Sequence, residues 1–168
     1  MAMLPFCGYN MADYFAHWLK TGTRLANPPK IFRVNWFRRD AEGRFLWPGY
    51  GENVRILKWI VERIRGTGKA VETPIGYVPS PRALDLDGLD MSAGRLQEAL
   101  SCDKNDWLQA LEELRGFYEQ FGQRLPEPIW WAHEQTVRRF HDMRTAPSVA
   151  TAAILTDLAG EPSSVHKF

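Results

Sequence analysis

The stretch at residues 35–53, NWFRRDAEGRFLWPGYGEN, constrains this chain more than any other. Five aromatic residues fall inside it, Trp36, Phe37, Phe45, Trp47 and Tyr50, with Phe32 and Trp59 just outside. Asp40-Ala41-Glu42-Gly43 has the composition of a tight turn, because Gly supplies a backbone shape that other residues resist. Pro48-Gly49 and Gly51 then break regular structure before Glu52 and Asn53 open a helical pattern. The expected order is strand, turn, short strand, Gly-rich loop and helix start. Flat aromatic faces followed by an amide at a helix N-terminus suit a purine base. Rings stack on the base, and the amide and free backbone groups read its edge. The same residues also suit a structural role, since aromatics in a hairpin are commonly core and Gly-Glu-Asn before a helix is commonly a cap.

The chain has 168 residues, enough for one domain with a sizeable core. Its 45% hydrophobic and 24% charged residues are ordinary for a soluble globular protein. A net charge of +1 gives no strong pull towards nucleic acid or an anionic membrane. Arg33, Arg38, Arg39 and Arg44 cluster among the aromatics and admit the reading of a single-strand nucleic-acid platform, although the rest of the chain offsets their charge. Cys7 and Cys102 are the two cysteines. They form no CxxC pair, so neither a disulfide framework nor a zinc site is expected, and a reducing, cytoplasmic setting fits. MAMLPFCGYN has no basic region before an apolar run, so no signal peptide is expected. No stretch approaches the ~20 apolar residues that span a bilayer; the apolar segment 149–158 is interrupted by Thr151, Thr156 and Asp157.

Asn10 has the place of a helix N-cap, with Asp13 in the capping-box position. Met11, Tyr14, Phe15, Trp18 and Leu19 make one apolar face, and Gly22 is the expected stop. His17 lies one turn after Asp13, a spacing that allows a local Asp–His contact, but no nucleophile is near and a packed or surface histidine is the simpler reading. Residues 30–37 read as a strand. A helix is expected over 52–65, with Val54, Leu57, Val61 and Ile64 on one face and Ile56 and Ile60 beside it. Gly66-Thr67-Gly68-Lys69 echoes a phosphate loop, but Arg63 stands at the first Gly position and Ala70 replaces the magnesium-binding Ser or Thr. It also follows a helix, so a helix-to-strand turn is the reading adopted.

Residues 71–78 read as a strand, with Thr73-Pro74 marking an edge or irregular entry. The following loop carries Asp85, Asp87 and Asp90 without the full calcium-loop pattern. Ser92 caps a short helix bearing Leu96 and Leu100, and Asp103 caps the next, where Trp107, Leu111, Leu114, Tyr118 and Phe121 form a stripe ended by Gly122. Pro126 and Pro128 open a last helix through about residue 143. His133-Glu134 and His141-Asp142 on it do not make the H-E-x-x-H pattern, since position 137 is Val137, and a surface helix is expected over a metal site. Residues 144–168 read as a flexible tail rich in Ala, Ser, Thr and Pro.

NWFRRDAEGRFLWPGYGEN resembles the C-terminal region of GTP-dependent phosphoenolpyruvate carboxykinase, whose pattern there is close to V-N-W-F-R-x-D-x-x-G-x-F-L-W-P-G-F/Y-G-E-N. The likeness extends to MLPFCGYNMADYFAHWL and to TPIGYVP. It implies an α/β (mixed α+β) fold, a small sheet with flanking helices and a C-terminal helical segment, with residues 1–143 forming an incomplete guanine-nucleotide-binding domain. It implies that Phe37, Phe45 and Tyr50 line the guanine pocket and that Asn53 contacts the base, with Gly51 and Glu52 in the same binding stretch. Tyr50 stands where several members have Phe.

The implied reaction converts oxaloacetate and GTP to phosphoenolpyruvate, carbon dioxide and GDP, as in gluconeogenesis, using Mn2+ together with Mg2+ on the nucleotide. Decarboxylation to an enolate and phosphoryl transfer to its oxygen both demand cations. The resemblance places the phosphate loop with its cysteine, the metal ligands and the mobile lid N-terminal to this stretch. Cys7, in the PF-x-GYN motif, is not that cysteine. No catalytic or metal-binding residue is therefore assigned. The expected partners are a guanine nucleotide and a missing N-terminal carboxykinase part, with neither nucleic acid nor membrane. A stand-alone, non-catalytic guanine-nucleotide-binding module and a single-strand nucleic-acid binder are the alternatives. An apolar patch around the first helix and the aromatic stretch, prone to self-association, is also expected.

Overall fold

A computed structural model describes residues 6–143 of the protein. The tail expected at 144–168 lies outside them. In chain order the elements are α1 (Met11–Arg24), α2 (Asn53–Ile64), β1 (Ala70–Thr73), β2 (Gly76–Pro79), α3 (Ala93–Leu100), α4 (Lys104–Glu119) and α5 (Glu127–Asp142). Short 3₁₀ turns occupy Tyr50–Glu52, Pro81–Ala83 and Gly122–Arg124. The chain forms two units, one from residues 6–30 with Asp103–Met143 and one from Ile31–Cys102. The mixed α+β class with a small sheet is as expected. Among the described residues no helix is long and apolar enough to cross a membrane.

The first unit is helical. The Oδ1 of Asn10 accepts the Ala12 N–H at 2.9 Å and fixes the start of α1. The helix runs past Gly22 to Arg24, where Leu25 turns extended. Gly inside a helix costs only about 1 kcal/mol and so does not compel a stop. Asp13 lies 3.9 Å from the Arg124 guanidinium instead of on His17, which is exposed. In α4, Asp103 caps the start by accepting the N–H groups of Asn105 and Asp106. The helix ends at Glu119, before Gly122, whose φ of +52° opens the next turn. Trp107 stacks on the fully buried Phe140 of α5 at 5.9 Å, and Phe15 of α1 meets Tyr118 and Phe121 edge-on. The expectation that α5 is a plain surface helix is corrected at His133. That side chain is buried, with Nε2 2.9 Å from the Leu111 carbonyl oxygen, because the stripe of α4 covers it.

The second unit departs more from expectation. Residues 30–37 form no strand. The Oδ1 of Asn35 accepts the Phe37 N–H at 3.0 Å, and this local bond bends the chain where a ladder would need it extended. The hairpin that follows has one antiparallel bridge, Arg39 with Phe45. The strand expected over 71–78 is instead a two-stranded hairpin, with Ala70 opposite Pro79, Val71 opposite Val78, Glu72 opposite Tyr77 and Thr73 opposite Gly76. Pro74 has no N–H to give a ladder, and Gly76, at φ +115°, takes the reversal. Thr73 closes the turn by donating its hydroxyl to the Gly76 carbonyl at 2.6 Å.

The core of this unit is Trp59, Leu84 and Leu96, with Phe32, Ile56 and Ile60 against it. Trp59 donates its indole N–H to the Lys69 carbonyl at 2.8 Å. So α2 turns Trp59 inward, and the stripe of Val54, Leu57, Val61 and Ile64 is exposed. Phe37, Phe45 and Tyr50 of the same unit are exposed as well.

Candidate functional site

The aromatic hairpin is built on a charged turn. Asp40 accepts the backbone N–H groups of Glu42 at 3.1 Å and Arg44 at 2.8 Å, and the Arg44 Nε at 2.9 Å. Burial works against the Asp40 charge, yet these bonds prevail and hold its carboxyl below the usual carboxylate range. Gly43, at φ +80°, donates its N–H to the Asp40 carbonyl at 3.0 Å. The Arg39 guanidinium lies 4.2 Å from the Phe45 ring centroid and donates to the Gly43 carbonyl at 2.7 Å. Arg39 and Arg44 are thus engaged within their own unit.

On this turn Phe37 and Phe45 meet at 6.1 Å with their planes 63° apart. They remain 73% and 43% exposed, so the Phe37 ring is largely open to a flat ligand while Arg39 lies over the Phe45 ring. Behind them Leu46 and Trp47 are buried. Two arginines tie this backbone to the α3 region. Arg95 donates from Nε to the Leu46 carbonyl at 2.9 Å and from its second terminal nitrogen to the Phe45 carbonyl. Arg38 donates to the Ser101 carbonyl at 2.6 Å, the Ala99 carbonyl at 3.3 Å and the Ser101 hydroxyl at 2.8 Å. The sequence reading assigned neither role, because the partners lie some fifty to sixty residues away.

Trp47 tilts against Trp36 at 6.4 Å and donates its indole N–H to the Asn53 Oδ1 at 2.9 Å. Gly49, at φ +123°, turns the chain into the 3₁₀ turn Tyr50–Glu52, and Asn53 is the first residue of α2. Tyr50 is 94% exposed. Glu52 is committed to Arg55, which also donates to the Asp85 carbonyl at 2.7 Å. Lys58 meets the Asp85 carboxylate at 2.9 Å, which holds Asp85 low and raises Lys58. Of the residues singled out from the sequence, the fold therefore joins Phe37 to Phe45 and places Tyr50, Gly51 and Glu52 in one turn that leads directly into Asn53. Trp47 was legible only as one more aromatic.

The segment 66–69 closes the end of α2. Thr67 and Gly68 both donate their N–H groups to the Glu62 carbonyl, at 2.9 and 3.0 Å. A phosphate would need such donors free, so the helix-to-strand turn is the reading that fits. Among the described residues no group of three or more His, Cys, Asp and Glu is placed to hold a metal ion. Cys102 is buried, and burial pushes its thiol up.

A family profile described as phosphoenolpyruvate carboxykinase C-terminal P-loop domain matches residues 1–139. The chain belongs to the GTP-dependent phosphoenolpyruvate carboxykinase family. The phosphoenolpyruvate carboxykinase [GTP] of Treponema pallidum (strain Nichols) is 53% identical over 131 residues, 76% of this chain and 21% of that protein. The enzyme of the same name from Neocallimastix frontalis is 53% identical over 131 residues, again 76% and 21%. That of Anaeromyxobacter dehalogenans (strain 2CP-C) is 47% identical over 144 residues, 86% of this chain and 24% of the relative. The chain thus spans about a fifth to a quarter of the length of the carboxykinases it matches and corresponds to a C-terminal part of them.

Proposed function

We propose that this chain supplies the guanine site of a GTP-dependent phosphoenolpyruvate carboxykinase, over residues 1–143 and in the cytoplasm, and turns over no substrate by itself. The observation that carries the reading is the hairpin that leaves Phe37 and Phe45 exposed side by side while Trp47, on the same hairpin, holds the Asn53 amide at the start of α2. Phe37, Phe45 and Tyr50 stack on the base, and base–ring stacking contributes about 1–3 kcal/mol per base. Asn53 reads the edge of the base, with Gly51 and Glu52 shaping the turn beside it. Holding the base fixes where the phosphates lie, and positioning is a large part of phosphoryl-transfer catalysis.

The whole reaction converts oxaloacetate and GTP to phosphoenolpyruvate, carbon dioxide and GDP. Loss of carbon dioxide leaves an enolate, whose oxygen then takes the γ-phosphoryl group. No group of three or more His, Cys, Asp and Glu gathers among the described residues, so no step through Mn2+ or Mg2+ is assigned to them. The remainder of the carboxykinase is the partner that supplies the cationic machinery. The engagement of Arg38, Arg39 and Arg44 within their unit gives the nucleic-acid reading no support.

Purified chain mixed with oxaloacetate, GTP and divalent metal is expected to form no phosphoenolpyruvate, and measurable turnover would overturn the claim of inactivity. Binding of fluorescent GDP is expected to weaken about tenfold in Phe37→Ala and in Asn53→Ala, in line with one lost stacking or hydrogen-bonding partner. Unchanged binding in both would count against the pocket.

A further inference from the structure

The bond between Trp47 and Asn53 has a direction. An indole N–H can only donate, so the Asn53 atom 2.9 Å from it is the amide oxygen, and the Nδ2H2 group is turned away from Trp47. Trp47 is buried and Asn53 half-buried, so water is a poor substitute for either partner. Rotating the amide would set two donors against each other and leave the buried indole N–H without an acceptor. The amide is therefore held with its donor group facing away from Trp47, at the first residue of a helix that follows the turn carrying Tyr50.

We propose that Trp47 is a positioning residue that sets the choice of purine. It does so by fixing Asn53 as a donor to a 6-oxo group that opposes a 6-amino group. Guanine presents O6, an acceptor, where adenine presents a 6-amino donor. A locked Nδ2H2 attracts the first and opposes the second, whereas a freely rotating amide would turn its oxygen to adenine and lose the distinction. This rests on the guanine-site reading above and adds the residue on which its selectivity depends.

The experiment is titration of the full chain with GDP and with ADP, comparing the unvaried protein, Trp47→Phe, Asn53→Ala and the double variant. Trp47→Phe keeps an aromatic ring and removes the donor, along with the five-membered ring that carries it. The unvaried chain is expected to prefer GDP by at least about tenfold, the discrimination typical of one good base contact. Trp47→Phe is expected to bring the ratio to within about threefold, mainly through tighter ADP binding. In the Asn53→Ala background the same change is expected to leave the ratio where it is, because the residue acts through that amide. If the unvaried chain shows no guanine preference, the site reading itself fails. If it prefers GDP and Trp47→Phe keeps the full ratio, the site stands and the role of Trp47 is overturned. Should Trp47→Phe not fold, the unvaried protein still decides by nuclear magnetic resonance. The Asn53 Nδ2H2 signals should shift with GDP and stay put with ADP, and equal shifts with both would overturn the proposal.

Discussion

Arg95→Met tests how the site is held. The Arg95 Nε–H bond to the Leu46 carbonyl is part-buried, and Leu46 is only 1% exposed, so the carbonyl gains little from water when the donor goes. A hydrogen bond from a charged group contributes about 1.5–3 kcal/mol. The second bond, to Phe45, is exposed and adds about 0.5–1 kcal/mol. Met keeps the aliphatic stem, so the loss is about 2–4 kcal/mol out of the ~5–15 kcal/mol that a domain has in all. Urea unfolding followed by tryptophan fluorescence measures it, with the slope required to stay constant. Arg138→Met, on the exposed face of α5 with Glu134 4.0 Å away, is the control and should shift stability by no more than about 0.5 kcal/mol. If Arg95→Met matches that control, the latch between α3 and the aromatic hairpin is not a stabilising feature and the reasoning fails.

Other expectations follow from the same geometry. Phe140→Ala removes a fully buried ring stacked on Trp107 and should cost about 3–5 kcal/mol in the helical unit, read by thermal or chemical unfolding. Gly68→Ala brings a Cβ to 2.9 Å from the Arg63 backbone nitrogen and should destabilise by about 1–3 kcal/mol, whereas Gly116→Ala, in open space within α4, should stabilise by about 0.5–1 kcal/mol; the opposite ordering of the two melting points would contradict the close approach at Gly68. Asp40 and Asp85 titrate below their unfolded values, so the unfolded state takes up protons first and stability falls with acid. Their contribution is complete above about pH 5 and is lost as pH drops through the ordinary carboxylate range to the lower folded values. Asp40→Asn should flatten that part of the stability–pH curve, and an unchanged slope would remove Asp40 from the explanation.

The helices and caps were legible because their causes are local. Asn10, Ser92 and Asp103 each bond an N–H within three residues, and the stripe on α4 needs only its own spacing. The strands were misread where a local bond or a missing donor decided the path. Asn35 bends the chain before Phe37 can extend, and Pro74 divides one apparent strand into two. The exposed stripe on α2 shows the limit of periodicity: it identifies an apolar face, but Trp59 on another side had more area to bury. At the candidate site the composition suggested stacking and an amide, while Arg38, Arg95 and the orientation of Asn53 depend on distant or loop-closing partners that spacing does not disclose.

The most direct test of the guanine-site reading is a calorimetric titration of the unvaried chain with GDP and, separately, with ADP at the same salt concentration. The reading predicts saturable one-to-one binding of GDP and at least about tenfold weaker binding of ADP. Equal affinity for the two nucleotides, or no binding of GDP at millimolar concentration, would contradict it.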